Sequence, residues 1–146
     1  MNAIIRTLGL TLALSASGAV QAEAPASKLH AENGWIRSAP PEAPVRAGYV
    51  ELFNAGERAV ILNKAASPAF GVVEIHEMRD VDGVARMRRL PQLELHPGER
   101  VQLKPGGIHL MLFRPVAPLS DDTEVEVELT GPDGVKISAT LRVGDP

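Results

Sequence analysis

The sequence predicts an all-β domain, a sandwich or barrel of about eight to ten short strands. Short runs rich in β-branched residues recur along the chain, and residues with turn chemistry separate them. Helical periodicity is nearly absent from the same stretches. At 146 residues the chain is long enough for one domain whose core needs no disulfide or structural metal.

The first 22 residues are predicted to be a cleaved secretory signal. Arg6 precedes an apolar stretch at residues 8–14, and small residues lead up to the A-x-A-like sequence Val20-Gln21-Ala22. This stretch is shorter than the roughly 20 residues that span a membrane. The chain also has no Cys that could carry a lipid after cleavage. We therefore expect a soluble exported protein in which residues 23–146 form a single domain.

Nine strands are predicted after a polar, Ala-rich lead at residues 23–30. Each is a run of β-branched, aromatic or alternating residues, at 34–38, 48–54, 59–66, 71–79, 84–90, 100–103, 109–113, 124–130 and 135–143. Most gaps between them hold Pro, Gly, Asn or Asp in a turn-forming order, which ends one strand before the next begins. These turns are PP at 40–41, NAG at 54–56, SP at 67–68, DG at 82–83, HPG at 96–98, PGG at 105–107 and GPDG at 131–134.

Alternation in strands 71–79 and 109–113 separates a core face from an outer face. The residues expected to face the core are Val73, Ile75, Ile108, Leu110 and Leu112. The residues expected to face outward are Glu74, His76, Met78, His109 and Met111. The His and Met side chains of both strands are therefore predicted to lie off the core.

Charge and composition exclude several classes of site and partner. The formal net charge is −3, and binding to phosphates needs a concentrated excess of Lys and Arg, so nucleic acid is not an expected partner. The absence of Cys excludes a thiolate zinc site, an iron–sulfur cluster, a Cys nucleophile and a blue-copper centre. The G-x-S-x-G turn of serine hydrolases is also missing. We expect the protein not to be an enzyme.

The four Met and four His residues are clustered in the chain. Every Met except the initiator lies between positions 78 and 111, and three of the four His lie between 76 and 109. A two-residue type I′ turn at Asp82-Gly83 would place Met78 opposite Met87. Imidazole and thioether groups form a soft, neutral ligand set that selects copper and favours Cu(I), whereas zinc, calcium and magnesium prefer thiolate or oxygen ligands. The cluster therefore predicts a copper site.

The spacing of four of these residues resembles that of a known family. His76, Met87, His109 and Met111 reproduce the H-x10-M-x21-H-x-M signature of the periplasmic CuA copper chaperones, known as PCuAC. The segments 73–78 and 103–112 around them, and the earlier segments 35–37 and 49–54, are also similar to the family. The resemblance covers residues 30–143 and implies a cupredoxin-like Greek-key β-barrel.

The resemblance implies a periplasmic carrier that binds one Cu(I) ion and delivers it toward the CuA subunit of cytochrome c oxidase, alone or through a thiol-bearing copper chaperone. It implies His76, Met87, His109 and Met111 as the metal ligands, and the hairpin geometry adds Met78 as an auxiliary candidate. We expect a monomer without a membrane span. Many family members have a His/Met-rich C-terminal tail, whereas this sequence stops just after its last predicted strand, so the resemblance does not extend to a tail-borne second copper site, such as one for Cu(II).

Other interpretations stay open from the sequence alone. A copper buffer or resistance protein needs the same ligands and differs only in having no delivery role. An enzyme is a further alternative: a small hydrolase is compatible with the Ser, His and Asp residues present, and turnover of an ester or redox substrate would favour a hydrolase or a cupredoxin-like oxidase. An adhesion or interaction sandwich without metal fits the fold class but leaves the clustering of Met unexplained.

Five further residues are expected to have structural roles. His96 precedes a turn, and His30 lies in the lead, so neither is predicted as a ligand. Trp35 is expected to fill the core, with its indole N–H bonded to a carbonyl. Glu77 and Arg88 are expected to form an exposed ion pair across the hairpin, which contributes less than about 1 kcal/mol.

Overall fold

The computed structural model describes residues 28–146, and the predicted signal at residues 1–22 lies outside them. Within these residues the chain forms eleven β-strands, and no helix is long and apolar enough to cross a membrane. In chain order the strands are β1 (Leu29–Ile36), β2 (Val45–Asn54), β3 (Val60–Leu62), β4 (Lys64–Ala66), β5 (Phe70–Val81), β6 (Val84–Arg89), β7 (Leu93–Leu95), β8 (Arg100–Gln102), β9 (Ile108–Pro115), β10 (Glu124–Thr130) and β11 (Lys136–Val143).

Seven of the strands close into a barrel. Around the barrel the order is β1, β11, β10, β4, β5, β9 and β2, and β2 pairs with β1 to close the ring. β1 and β11 run parallel, whereas the other neighbours in the ring are antiparallel. β6 extends the sheet from β5, β8 extends it from β2, and β3 pairs with β7 in a separate two-stranded sheet. The predicted all-β barrel class is confirmed.

The predicted strand at residues 59–66 is in fact two strands in two different sheets. β3 belongs to the two-stranded sheet, and β4 belongs to the barrel. Asn63 lies between them, and its backbone N–H donates to the carbonyl of Thr130 in β10. The chain therefore passes from one sheet to the other within the segment that the sequence predicts as one strand.

β7 is absent from the sequence prediction because it is only three residues long. Buried Leu93 and Leu95 flank exposed Glu94, and three residues are too few for alternation to be recognised.

β1 begins at Leu29, whereas the sequence predicts a lead through residue 30 and a strand only from residue 34. The register between β1 and β2 shifts between Glu32 and Trp35, and Asn33 has a φ of 54°. This irregularity interrupts the alternation of side chains along β1, so the first half of the strand does not show the pattern of a strand.

The core of the barrel is apolar. β11 alternates exposed and buried side chains along its whole length, as a half-buried strand should. Val73 and Ile75 of β5 are buried, as the sequence predicts, and Ile108 at the start of β9 is partly buried against the core. The side chains with no exposed surface are Ile36, Leu52, Leu62, Leu95, Leu110, Leu112, Val127, Leu129, Leu141 and Val143. Burial of each such side chain contributes about 1.5–3 kcal/mol.

One buried polar side chain, Asn54, ties the end of β2 to two other segments. It is 1% exposed. Its amide nitrogen donates to the carbonyls of Arg58 at 2.8 Å and Leu95 at 3.0 Å, and its Oδ1 accepts from the N–H of Gly56 at 2.9 Å. These bonds satisfy backbone groups that the loop after β2 would otherwise bury unpaired.

Candidate metal centre

Three neighbouring strands, β6, β5 and β9, carry all five residues that the sequence predicts as copper ligands. Their Cα register pairs His76 with His109 and Met78 with Met87. Met111 follows His109 by two positions along β9. Paired residues share a face of a sheet, and so do residues two apart. All five therefore lie on one face, opposite the core, which we call the His/Met face.

The β5–β6 hairpin has the turn and the register that the sequence predicts. Asp82 and Gly83 both have positive φ, 56° and 78°, as a type I′ turn requires. Arg88 Nε donates to Glu77 Oε2 at 2.8 Å, which confirms the predicted ion pair, and Arg79 Nε lies 2.9 Å from the other carboxylate oxygen. Hydrogen bonds from Arg79 and Arg88 hold the pKa of Glu77 below its usual value.

The two histidines form the buried centre of the His/Met face. His109 is 5% exposed, the side chain of His76 is 15% exposed, and their ring centroids are 6.2 Å apart. A metal bound to one nitrogen of each ring at about 2.0–2.1 Å, as for zinc, holds two such centroids roughly 6 Å apart or less. Met87 lies at the rim of the His/Met face, on β6, the strand next to that of His76, and is 47% exposed. The face therefore combines a buried pair of imidazoles with an accessible thioether.

The hydrogen bond of His109 selects which of its nitrogens can bind a metal. Its Nδ1 lies 2.9 Å from the carbonyl oxygen of Gly107, which also accepts the N–H of Met78 at 3.1 Å. A carbonyl only accepts, so Nδ1 carries the hydrogen and Nε2 keeps a free lone pair in the neutral ring. A backbone carbonyl in this position is a usual support for a metal-binding His.

The hydrogen bond of His76 selects the opposite nitrogen. Its Nε2 lies 2.8 Å from Oε2 of Glu74, and an ionised carboxylate only accepts, so Nε2 is the donor. The remaining nitrogen, Nδ1, is buried and has no hydrogen-bond partner among the described residues. A buried polar atom without a partner costs free energy unless a ligand binds it. His76 thus offers Nδ1 to a metal, whereas His109 offers Nε2.

Glu74 contacts a predicted ligand, His76, although the predicted ligand set omits it. Its second oxygen lies 3.7 Å from Nε of Arg89, so the carboxylate sits between an imidazole and a guanidinium. Its position two residues before His76, on the same face, was a usable signal. That signal is weak, because Glu94 and His96 have the same spacing near β7, yet both are exposed and their closest charged atoms are 3.9 Å apart.

Aromatic rings flank the histidines in a row across the sheet. The centroid of Tyr49 lies 6.4 Å from that of His109 and 4.3 Å from that of Trp35. Phe113, four residues after His109 on β9, has its centroid 6.3 Å from that of His76. Tyr49 is 4% exposed, and burial raises the pKa of its phenol. The prediction that Trp35 fills the core is wrong. The register shift in β1 turns this half-buried residue toward the outer face, where it is paired with Tyr49.

The remaining two histidines have no contact with this row. His30 belongs to β1, not to a lead, and its ring stacks on Phe53 with centroids 6.1 Å apart. His96 is exposed just before the turn at Pro97 and Gly98, as the sequence predicts. Within residues 28–146, no three His, Cys, Asp or Glu side chains form a group that could hold a metal ion.

Residues 29–143 match the family of LpqE-like lipoproteins. Lipoprotein Lxx21020 of Leifsonia xyli subsp. xyli is 27% identical over 121 residues, which cover 82% of this chain and 72% of that protein.

Solved structures of PCuAC domains share the fold. The copper-bound PCuAC domain from PmoF2 is 21% identical, with a TM-score of 0.64, and the alignment covers 82% of this chain and 94% of that domain. Apo DR1885 from Deinococcus radiodurans is 23% identical, with a TM-score of 0.62 and coverage of 99% and 97%. The Cu(I) form of DR1885 is 25% identical, with a TM-score of 0.61 and coverage of 88% and 85%. The predicted PCuAC resemblance and its β fold are confirmed.

Proposed function

The chain belongs to the LpqE-like family of lipoproteins, and from this membership and its His/Met face we propose that it is a copper carrier that binds one Cu(I) ion. We propose His76, Met87, His109 and Met111 as the ligands, with Met78 as an auxiliary one. PCuAC domains are metal-binding carriers and not enzymes, and the chain is accordingly assigned no catalytic role.

The observation that carries the proposal is the pair of histidines with unlike free nitrogens on a face that also holds three thioethers. Hydrogen bonds to Glu74 and Gly107 leave one lone pair on each ring. A set of neutral imidazoles and thioethers is soft, so it favours Cu(I) over harder divalent ions. Since no thiolate takes part, the ion is held without the strongest protein ligand for copper, which suits a carrier that must release it.

We propose that the protein works in the periplasm as a monomer. The recipient that the PCuAC resemblance suggests is the CuA subunit of cytochrome c oxidase, reached directly or through a thiol-bearing copper chaperone. The exposure of Met87 supports transfer by exchange of ligands, because a partner can approach the ion from the rim while the buried histidines still hold it.

Anaerobic titration with Cu(I) against a chromogenic chelator tests the site. We expect one equivalent of Cu(I) per chain, and strong loss of affinity in His109→Ala and in Met87→Ala. His96→Ala is the matched control, because His96 is exposed and lies off the His/Met face, and we expect its affinity to stay unchanged. Wild-type affinity in both His109→Ala and Met87→Ala would refute the assignment of the ligands.

A copper buffer is the second candidate function, since it would use the same ligands. The two functions differ in their effect on the oxidase under copper limitation. A deletion strain that fails to load CuA supports delivery, whereas a strain that loads CuA normally but becomes sensitive to copper supports buffering.

A further inference from the structure

One side of the β5–β6 hairpin carries an arginine face, which we define as Arg79, Arg86 and Arg88 with the exposed Val81 and Val84. The cross-strand pairs are Arg79 with Arg86 and Val81 with Val84, so these residues share the side of the hairpin opposite the His/Met face. An open depression of about 500 Å³ lies against the three arginines and Val81, and Met87 lines it as well. The arginine face and the proposed copper site therefore meet at Met87.

Two features of this face leave its positive charge only partly compensated. Arg79 and Arg86 are directly opposed, and like charges in that position destabilise a sheet. Glu77 lies within 3 Å of Arg79 and Arg88, but Arg86 has no carboxylate within ion-pairing distance in the described part of the chain. Three arginines against the single carboxylate of Glu77 leave a local excess of positive charge on this side of the hairpin, although the chain as a whole has a net charge of −3.

The hairpin also leaves apolar surface and a strand edge open. All six residues of β6 are exposed, and β6 pairs only with β5 in residues 28–146. Five large hydrophobic side chains are exposed in the described part of the chain, and three of them, Val81, Val84 and Met87, belong to this hairpin. A free edge flanked by apolar and cationic side chains is suited to the addition of an extended segment from another protein.

We propose that the arginine face is the docking surface for an acidic partner protein, whose carboxylates pair with Arg79, Arg86 and Arg88 while a strand or loop of the partner lies along β6. The inference rests on the proposed function, since docking there brings the partner to the exposed thioether of Met87.

Two other occupants fit the face less well. A second copy paired through β6 in a two-fold dimer would bring the arginines of both copies together, which is repulsive. An anionic membrane would meet Asp80 and Asp82 at the tip of the hairpin, next to the two valines. A protein surface can place its carboxylates on the arginines and leave Asp80 and Asp82 uncovered, which a continuous anionic surface cannot do.

Calorimetric titration of the metal-free protein with the acetylated octapeptide (Val-Glu)4 amide tests the docking surface. We expect binding that weakens as salt is added, with NMR shifts confined to residues 79–89, and no binding of the matched peptide (Val-Gln)4. Arg86→Glu should weaken binding by about five- to tenfold, because it removes one attraction and adds one repulsion. Arg58→Glu makes the same change of charge at an exposed position outside the hairpin and should change affinity less than about twofold.

Equal binding by Arg86→Glu and Arg58→Glu would overturn the proposal. So would salt-sensitive binding to phosphatidylglycerol vesicles in place of the peptide, or a concentration-dependent dimer in sedimentation that Arg86→Glu abolishes. Arg86→Glu should melt no lower than the wild type, because it replaces a pair of like charges by a pair of opposite charges. Its Cu(I) stoichiometry, measured in parallel, separates failure of docking from failure of the proposed copper site.

Discussion

Removal of the Glu74 carboxylate is expected to weaken Cu(I) binding although Glu74 is not a proposed ligand. Its Oε2 accepts from His76 Nε2 at 2.8 Å, within the usual range of a charge-assisted hydrogen bond. This bond keeps the hydrogen on Nε2 and the lone pair on Nδ1. In Glu74→Ala the ring can take its other tautomer and can rotate, so part of the population presents no nitrogen to the metal.

The size of the effect follows from the geometry. Hydrogen bonds to charged groups contribute about 1.5–3 kcal/mol when they are shielded from water. The side chains of His76 and Glu74 are 15% and 25% exposed, so only part of this bond is screened. Loss of such a partner typically lowers metal affinity by about 10- to 100-fold, or roughly 1.4–2.7 kcal/mol. Glu74→Gln keeps an acceptor but loses the charge, and its affinity should lie between those of the wild type and Glu74→Ala.

The assay is anaerobic competition for Cu(I) with a chromogenic chelator, together with NMR of the imidazole nitrogens in the metal-free protein. Glu94→Ala is the control, because it removes the same residue from the same Glu-x-His spacing outside the site. We expect Nε2 of His76 and Nδ1 of His109 to carry the hydrogens. Wild-type affinity in Glu74→Ala, or a His76 ring protonated on Nδ1, would show that the tautomer argument is wrong.

Three further predictions concern stability and protonation. Asn54→Ala should lower the free energy of unfolding by about 2–4 kcal/mol in denaturant titrations, because two carbonyls and one N–H lose their partner. Asn63→Ala is the control and should lower it by less than about 1 kcal/mol, since the Oδ1 of Asn63 has no hydrogen-bond partner. Tyr49 is the only tyrosine, and burial raises its pKa above 10.0. Its contribution to the free energy of unfolding is therefore complete below about pH 10 and is lost as the pH rises through the folded-state pKa. An ultraviolet titration that gives the ordinary tyrosine pKa would contradict this prediction. Arg79 and Arg88 hold the pKa of Glu77 below 4.5. The contribution of Glu77 to the free energy of unfolding is therefore present above pH 4.5 and is lost as the pH falls through the folded-state pKa. An NMR titration of the Glu77 carboxyl measures that pKa.

The hairpin could be predicted from sequence because its information is local. A two-residue type I′ turn fixes the register of the strands that it joins, so Asp82 and Gly83 were enough to place Met78 opposite Met87. The strand faces followed from alternation, which depends only on neighbouring residues.

The rest of the candidate site depends on contacts between distant segments. His76 and His109 are 33 positions apart and become partners only because β5 and β9 are neighbours in the barrel, an order that no local pattern contains. The side of Trp35 was predicted wrongly because one irregular step in β1 reverses every side chain after it. The role of Glu74 was missed because it depends on burial, and the spacing that it shares with exposed Glu94 does not report burial.

The row of rings beside the histidines gives the protein an optical property. Its single tryptophan and its single tyrosine are adjacent, with centroids 4.3 Å apart, and the tyrosine ring lies beside His109. Excitation absorbed by Tyr49 can pass to Trp35, and a copper ion on His109 would lie one ring beyond Tyr49. We therefore expect the fluorescence of the indole to change when copper binds at the proposed site, which would give a label-free readout of copper uptake and release.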